Sequence, residues 1–133
     1  MNLIDGKLIA SEIKEKLKKE IEILKEKNIT PGLAIILVGN DAASEIYVRN
    51  KIKTCEELGI FCELYRFCES NEEEEIIEKI KDLNYDQRFD GILIQSPLPK
   101  KFCEDKIISY VSSKKDVDGF GIYNLGSLLS NEE

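Results

Sequence analysis

Leu33-Ala34-Ile35-Ile36-Leu37-Val38 is a run of six apolar residues without a polar interruption. A strand that shows one face to water alternates apolar and polar side chains. An unbroken run therefore predicts a strand buried on both faces, as in a parallel sheet covered by helices. Ile92-Leu93-Ile94 repeats the pattern in shorter form, and Phe61 to Phe67 predicts another strand from its aromatic and small apolar residues. The intervals between them carry the helical period. Ile9, Ile13, Leu17, Ile21 and Leu24 recur every three or four residues, which predicts a long amphipathic helix ended by Asn28 and Pro31-Gly32. A second helix follows Gly39-Asn40-Asp41, with Asn40 or Asp41 as its cap, and stops at Gly59. A third is capped by Ser70 or Asn71 and buries Ile76, Ile77, Ile80 and Leu83. Its first turn, Glu72 to Glu75, reads as carboxylates complementing the helix dipole rather than as a cation site. A short fourth helix near Glu104 to Val111 precedes the polar segment Ser112 to Asp118. Strands separated by helices of this length connect by right-handed crossovers. The expected fold is α/β, a three-layer unit with a small parallel sheet flanked by helices.

At 133 residues, one domain burying roughly 65–70% of its unfolded surface is expected. Nineteen basic against 26 acidic side chains leave a net charge of −7, which argues against nucleic acid or an anionic membrane as partner. The apolar runs are too short to span a bilayer, and charged residues begin at Asp5 and Lys7, so a soluble cytoplasmic protein without a signal peptide is expected. The chain has no histidine, which removes Ser-His-Asp and Cys-His nucleophile systems and His-containing zinc sites. Cys55, Cys62, Cys68 and Cys103 form no C-x-x-C pair, so they read as reduced thiols and no metal is expected.

Ligands of an open parallel sheet bind beyond the carboxyl ends of its strands. Two segments of unusual composition leave there: residues 38–51 after the first strand and Gln95-Ser96-Pro97-Leu98-Pro99 after the third. On the second helix Val48, Ile52 and Cys55 form a core stripe. Ser44, Tyr47 and Lys51 fall on the adjacent stripe about 100° away, so Tyr47 and Lys51 are stacked neighbours. An aromatic face beside an amine suits a flat polar heterocycle, and a partly desolvated lysine can act as base or proton donor. The competing reading is a solvated lysine and a half-buried tyrosine on an ordinary helix border. Gln95 offers donor and acceptor together at the mouth of the sheet, and Pro97 and Pro99 stiffen the exit, although prolines also simply end strands. Asp116 and Asp118 form a weak paired-carboxylate pattern in a later loop, where Gly119 permits a turn.

Together the segments VGNDAASEIYVRNKIKTCEELGI (38–60), GILIQSPLPK (91–100) and KDVDGFGIYNLGSLL (115–129) carry a resemblance over essentially the whole chain. The chain resembles the catalytic domain of the bifunctional methylenetetrahydrofolate dehydrogenase/methenyltetrahydrofolate cyclohydrolase family. The resemblance implies that residues 1–133 are a folate-binding catalytic domain acting on tetrahydrofolate derivatives. It implies catalytic roles for Lys51, which assists water attack and proton transfer, and for Gln95, which orients that lysine. It implies substrate contacts from Tyr47 along the folate rings, from Asp118 to the polar pterin edge, and from Ser44 and Ser96. The family reaction oxidises 5,10-methylenetetrahydrofolate, usually with NADP, and hydrolyses the 5,10-methenyl cation to 10-formyltetrahydrofolate. Full-length members commonly form homodimers.

The family continues into a Rossmann-type cofactor domain, and these 133 residues hold no G-x-G-x-x-G loop, so no cofactor-binding residue is expected in this chain. The family's final helix normally returns to pack on this domain, which predicts an exposed apolar patch here. Ser96 stands where leucine is usual, Gly121-Ile122 where histidine-proline is usual, and Ser127 where arginine is common. The rival expectation is a non-catalytic module binding a pterin or a protein partner.

Overall fold

The computed structural model describes residues 5–130. The elements run α1 (Gly6–Glu26), β1 (Gly32–Val38), α2 (Ala42–Leu58), β2 (Phe61–Phe67), α3 (Glu73–Tyr85), β3 (Gly91–Ile94), α4 (Glu104–Ile108) and α5 (Ile122–Ser130). The three strands form one parallel sheet in the order β2-β1-β3, with Leu33 opposite both Cys62 and Gly91. The α/β three-layer architecture is the one expected.

The central place of β1 explains its unbroken apolar run. Ala34, Ile36 and Val38 turn to one face and pack with Ile76, Ile80, Ile92, Ile94 and Ile107 beneath α3 and α4. Ile35 and Leu37 turn to the other and pack with Val48 of α2 and Leu93 of β3. Each face is covered by helix, so neither register position tolerates a polar side chain. Gly32 is fixed by close approach: a Cβ there would lie 1.8 Å from the Arg88 carbonyl oxygen.

Caps set the helix boundaries. The Asp5 carboxylate accepts from the Lys7 and Leu8 amides, and Asp41 accepts from Ser44 N at 2.8 Å. Gly59 ends α2 in the left-handed region at φ 78°. The cap of α3 differs from the expected Ser70 or Asn71. Glu72 is the cap, reciprocated by Glu75, whose carboxylate accepts the Glu72 amide at 2.7 Å. Asn71 instead donates from its side chain to Glu75 and accepts from Cys68 N. The fourth helix ends at Ile108, short of the expected Val111.

The apolar stripe of α1 does form a helix, yet Ile21 is its one buried residue, while Leu8, Ile9, Ile13 and Leu17 are exposed. Helix α5 lies beyond the elements that periodicity predicts, and it likewise exposes Ile122, Tyr123, Leu128 and Leu129. Among the described residues, no helix is long and apolar enough to cross a membrane.

Candidate functional site

The site is built where β3 ends against α2. Gln95 follows the last residue of β3, and its amide still donates to Ile36 O at 2.9 Å, so the sheet itself holds the residue. The side chain is buried at 8% exposure. Its Oε1 accepts from Lys51 Nζ at 2.9 Å, and its Nε2 donates to the Ser96 carbonyl at 2.7 Å. Residues 44 positions apart are thereby joined at one end of the sheet. Lys51 is half-buried on α2, and Tyr47, one turn earlier, is 61% exposed. That exposure leaves the ring face free, as a stacking platform requires.

Beside them lies an open groove of about 330 Å³. Leu33, Leu93 and Cys55 make its apolar floor, while Tyr47, Asn50, Lys51 and Thr54 of α2 form its edge. Residues 47, 50, 51 and 54 follow the i, i+3, i+4, i+7 spacing of one helix face. Asn50 and Thr54 are absent from the residues singled out in the sequence, although that spacing marks them. Thr54 also accepts from Lys14 Nζ at 3.2 Å, which ties α1 to the rim.

Asp118 is carried on an edge extension of the sheet beside β3. Ile92 N donates to Lys115 O at 2.7 Å, and Asp116 pairs in parallel with Ile92, so the segment runs alongside β3. The Asp116 carboxylate then binds the turn, accepting from Gly119 N, Gly121 N and Asn124 Nδ2 at 2.8–3.0 Å. Burial alone would raise the Asp116 carboxyl, but hydrogen bonds from Asn124, Gly121, Gly119 and Phe120 outweigh it and hold it below its ordinary value. Gly119 supplies the positive φ of 69°. Asp118 lies within this fixed turn, at an exposed position. Desolvation raises its carboxyl above the ordinary value, opposed by the positive charge of Lys51. Asp116 and Asp118 thus differ: Asp116 holds the loop through three hydrogen bonds, whereas the Asp118 carboxyl feels the Lys51 charge. Gly121 suits this turn because a Cβ there would lie 2.9 Å from Asp116 Oδ2. Ile122 opens α5 at a position that a proline also fills readily.

The structure joins Lys51 to Gln95 with Tyr47 one turn away on the same helix. Asp118 is near enough for the Lys51 charge to act on its carboxyl but lines a separate hollow with Ile92, Ile94 and Phe120. The two serines are engaged elsewhere. Ser44 is 3% exposed, and its backbone amide donates to Asp41 Oδ1 in the α2 cap. Ser96 donates its hydroxyl to Glu104 Oε1 at 2.7 Å. Among the described residues, no group of three His, Cys, Asp or Glu side chains is placed to hold a metal ion.

A nicotinamide dinucleotide does not fit the residues present. Its diphosphate needs a helix N-terminus free of negative charge. Asp5 and Asp41 cap the N-termini of α1 and α2, and Glu72 caps α3, whose first turn holds Glu73 to Glu75. Glu73 accepts the Cys103 amide at α4, and Asp116 accepts the Gly121 amide ahead of α5. Each of these helix N-termini is thus already met by a carboxylate of the chain itself.

Comparison with known proteins gives the family. The family model described as tetrahydrofolate dehydrogenase/cyclohydrolase, catalytic domain, matches residues 4–118. The bifunctional protein FolD of Agathobacter rectalis is 51% identical over 96% of this chain, which covers 46% of that relative. The crystal structure of the bifunctional FolD methylenetetrahydrofolate dehydrogenase/cyclohydrolase from Campylobacter jejuni superposes with a TM-score of 0.97 at 44% identity, over 100% of this chain and 47% of that one. The Trypanosoma brucei N5,N10-methylenetetrahydrofolate dehydrogenase-cyclohydrolase, complexed with NADP cofactor and inhibitor, gives 0.94 at 28% identity, covering 99% and 45%. The chain spans about half the length of the curated relatives it matches. By sequence and fold, the chain belongs to the tetrahydrofolate dehydrogenase/cyclohydrolase family, within its catalytic domain.

Proposed function

We propose that residues 1–133 serve as the folate-binding catalytic domain of a protein that interconverts one-carbon folates. The full-length protein oxidises 5,10-methylenetetrahydrofolate with NADP and hydrolyses 5,10-methenyltetrahydrofolate to 10-formyltetrahydrofolate. Resemblance to the bifunctional relatives supports both steps, and the NADP held by the trypanosomal relative supports the cofactor. The nicotinamide is bound by residues outside this chain. A cytoplasmic homodimer acting without nucleic acid or membrane completes the reading.

The observation that carries it is the 2.9 Å contact from Lys51 Nζ to Gln95 Oε1 at the edge of a groove with an apolar floor. Tyr47 stacks on the flat ring system, and Asp118 accepts hydrogen bonds from the amino and ring N–H groups of the pterin edge. The methenyl carbon lies between two nitrogens and already carries cationic character. Water attacks it without a strong nucleophile, so the protein has only to place the water and move its proton. Lys51 accepts a proton from the attacking water and returns one to N5 as the carbon–N5 bond breaks. The water oxygen becomes the formyl oxygen, and one net proton is released. Gln95 keeps the amine aimed at that water.

The test is to assay both steps in the full-length protein: NADP-dependent oxidation of the methylene substrate, and loss of methenyl absorbance. Turnover in both supports the reading. Folate binding without either activity overturns it in favour of a pterin-binding module.

A further inference from the structure

We propose that Glu104, acting through Ser96, is a positioning residue for the Gln95–Lys51 pair; this rests on the cyclohydrolase reading of that pair. Gln95 has a polar side chain with two unlike ends, and catalysis needs only one of its two orientations. With Oε1 toward Lys51 the contact is donor to acceptor; after a flip two donors face each other. The group that selects the orientation is the Ser96 carbonyl, which accepts from Gln95 Nε2 at 2.7 Å. The direction of that carbonyl depends on how residues 96–98 are held.

One carboxylate holds them twice. Glu104 Oε1 accepts from Ser96 Oγ at 2.7 Å, and Oε2 accepts from Leu98 N at 2.8 Å. Both contacts are half-buried and charge-assisted, so they are stronger than neutral hydrogen bonds. Glu104 is in turn fixed as the first residue of α4, which is anchored by buried Phe102 and Ile107 and by Glu73 accepting the Cys103 amide at 2.8 Å. A continuous chain of contacts thus runs from α4 to the amine: Glu104, Ser96, Gln95, Lys51. A leucine at position 96 would lack the hydroxyl link.

Steady-state hydrolysis of 5,10-methenyltetrahydrofolate by the full-length protein tests this. Glu104→Ala and Ser96→Val are expected to lower kcat about tenfold, the scale of one misplaced hydrogen bond, with KM changed less than about twofold. Ser96→Thr, which keeps the hydroxyl at nearly the volume of valine, is expected to stay within about twofold of wild type. In a Gln95→Ala background, Glu104→Ala is expected to add less than a further twofold loss, because its effect passes through the missing amide. A full further tenfold loss in that background overturns the proposal. So does a rise in KM at unchanged kcat for Ser96→Val, which would make the hydroxyl a direct substrate contact. If Glu104→Ala fails to fold, the Thr/Val pair still decides the matter.

A wild-type protein without hydrolysis would overturn the functional reading alone. NMR of the Gln95 carboxamide protons then tests the clamp separately. Faster solvent exchange in Ser96→Val than in Ser96→Thr supports it, and equal exchange overturns it.

Discussion

Asp118 shows at the scale of one residue how the site trades stability for placement. Desolvation raises its carboxyl above the ordinary value, and Lys51 only partly offsets this. In the window between the unfolded and folded values the native state binds the proton more readily, so stability falls as pH rises through it. Asp118→Asn removes the cost. We predict that the variant melts higher than wild type near neutral pH, while the gain vanishes at about pH 3, below the usual carboxylate range. Thermal melts of both proteins across that range check the sign, and a lower melting temperature for the variant at neutral pH would contradict it. The four cysteines give a second test. Burial pushes the Cys62 thiol up to about 12 and raises Cys55 as well, while Cys68 and Cys103 are exposed. Alkylation of the native protein at about pH 7.5 is expected to label Cys68 and Cys103 well before the other two, because only the thiolate reacts. Mass spectrometry over a time course reads the order.

Much of the site is visible residue by residue in the sequence, but not its partnerships. Tyr47 and Lys51 are four apart on a helix, so their adjacency follows from the helical period. The contact between Lys51 and Gln95 joins different elements, and no spacing rule reaches across it. Ser44 shows the opposite failure. Its place on the Tyr47 stripe suggests a ligand contact, yet the residue is 3% exposed, which the helical period alone does not reveal.

At the scale of elements, the same residue type has opposite weight in β1 and α1. Ile36 is fully buried between the sheet and α3, whereas Ile13 is 54% exposed. Ile36→Ala is expected to cost about 2–5 kcal/mol through lost burial and a cavity, and Ile13→Ala less than about 1 kcal/mol. Urea unfolding of residues 1–133 measures both, and similar losses would mean that α1 is packed in a way the structure does not show. The strands and the first three helices are legible because period and breakers agree: an apolar run for β1, a four-residue stripe for α3, and Gly59 after α2. The end of the chain is not. Helix α5 is written in Ile122, Tyr123, Leu125, Leu128 and Leu129, and its apolar side chains lie exposed rather than against the core. The α3 cap falls later than expected because Asn71 and Glu72 both suit a capping box, and the reciprocal Glu75 selects Glu72.

For the whole molecule, the layered fold follows from topology. A three-strand parallel sheet brings the loops after β1 and β3 to one edge, and the segment beside β3 carries Asp118. The groove remains open on its outer side, and the exposed apolar residues of α1 and α5 mark surfaces suited to further contact. This open groove with an apolar floor and a polar rim is the place where the proposed folate would lie.

The central claim is that the Lys51 amine moves the proton in the hydrolytic step. It is tested most directly by hydrolysis of 5,10-methenyltetrahydrofolate in the full-length protein, comparing wild type with Lys51→Ala under conditions that saturate both with substrate. In the variant kcat is expected to fall at least about a hundredfold, the usual scale of a general acid–base group, while folate still binds. Turnover within about twofold of wild type would contradict it and would place the proton transfer on another group.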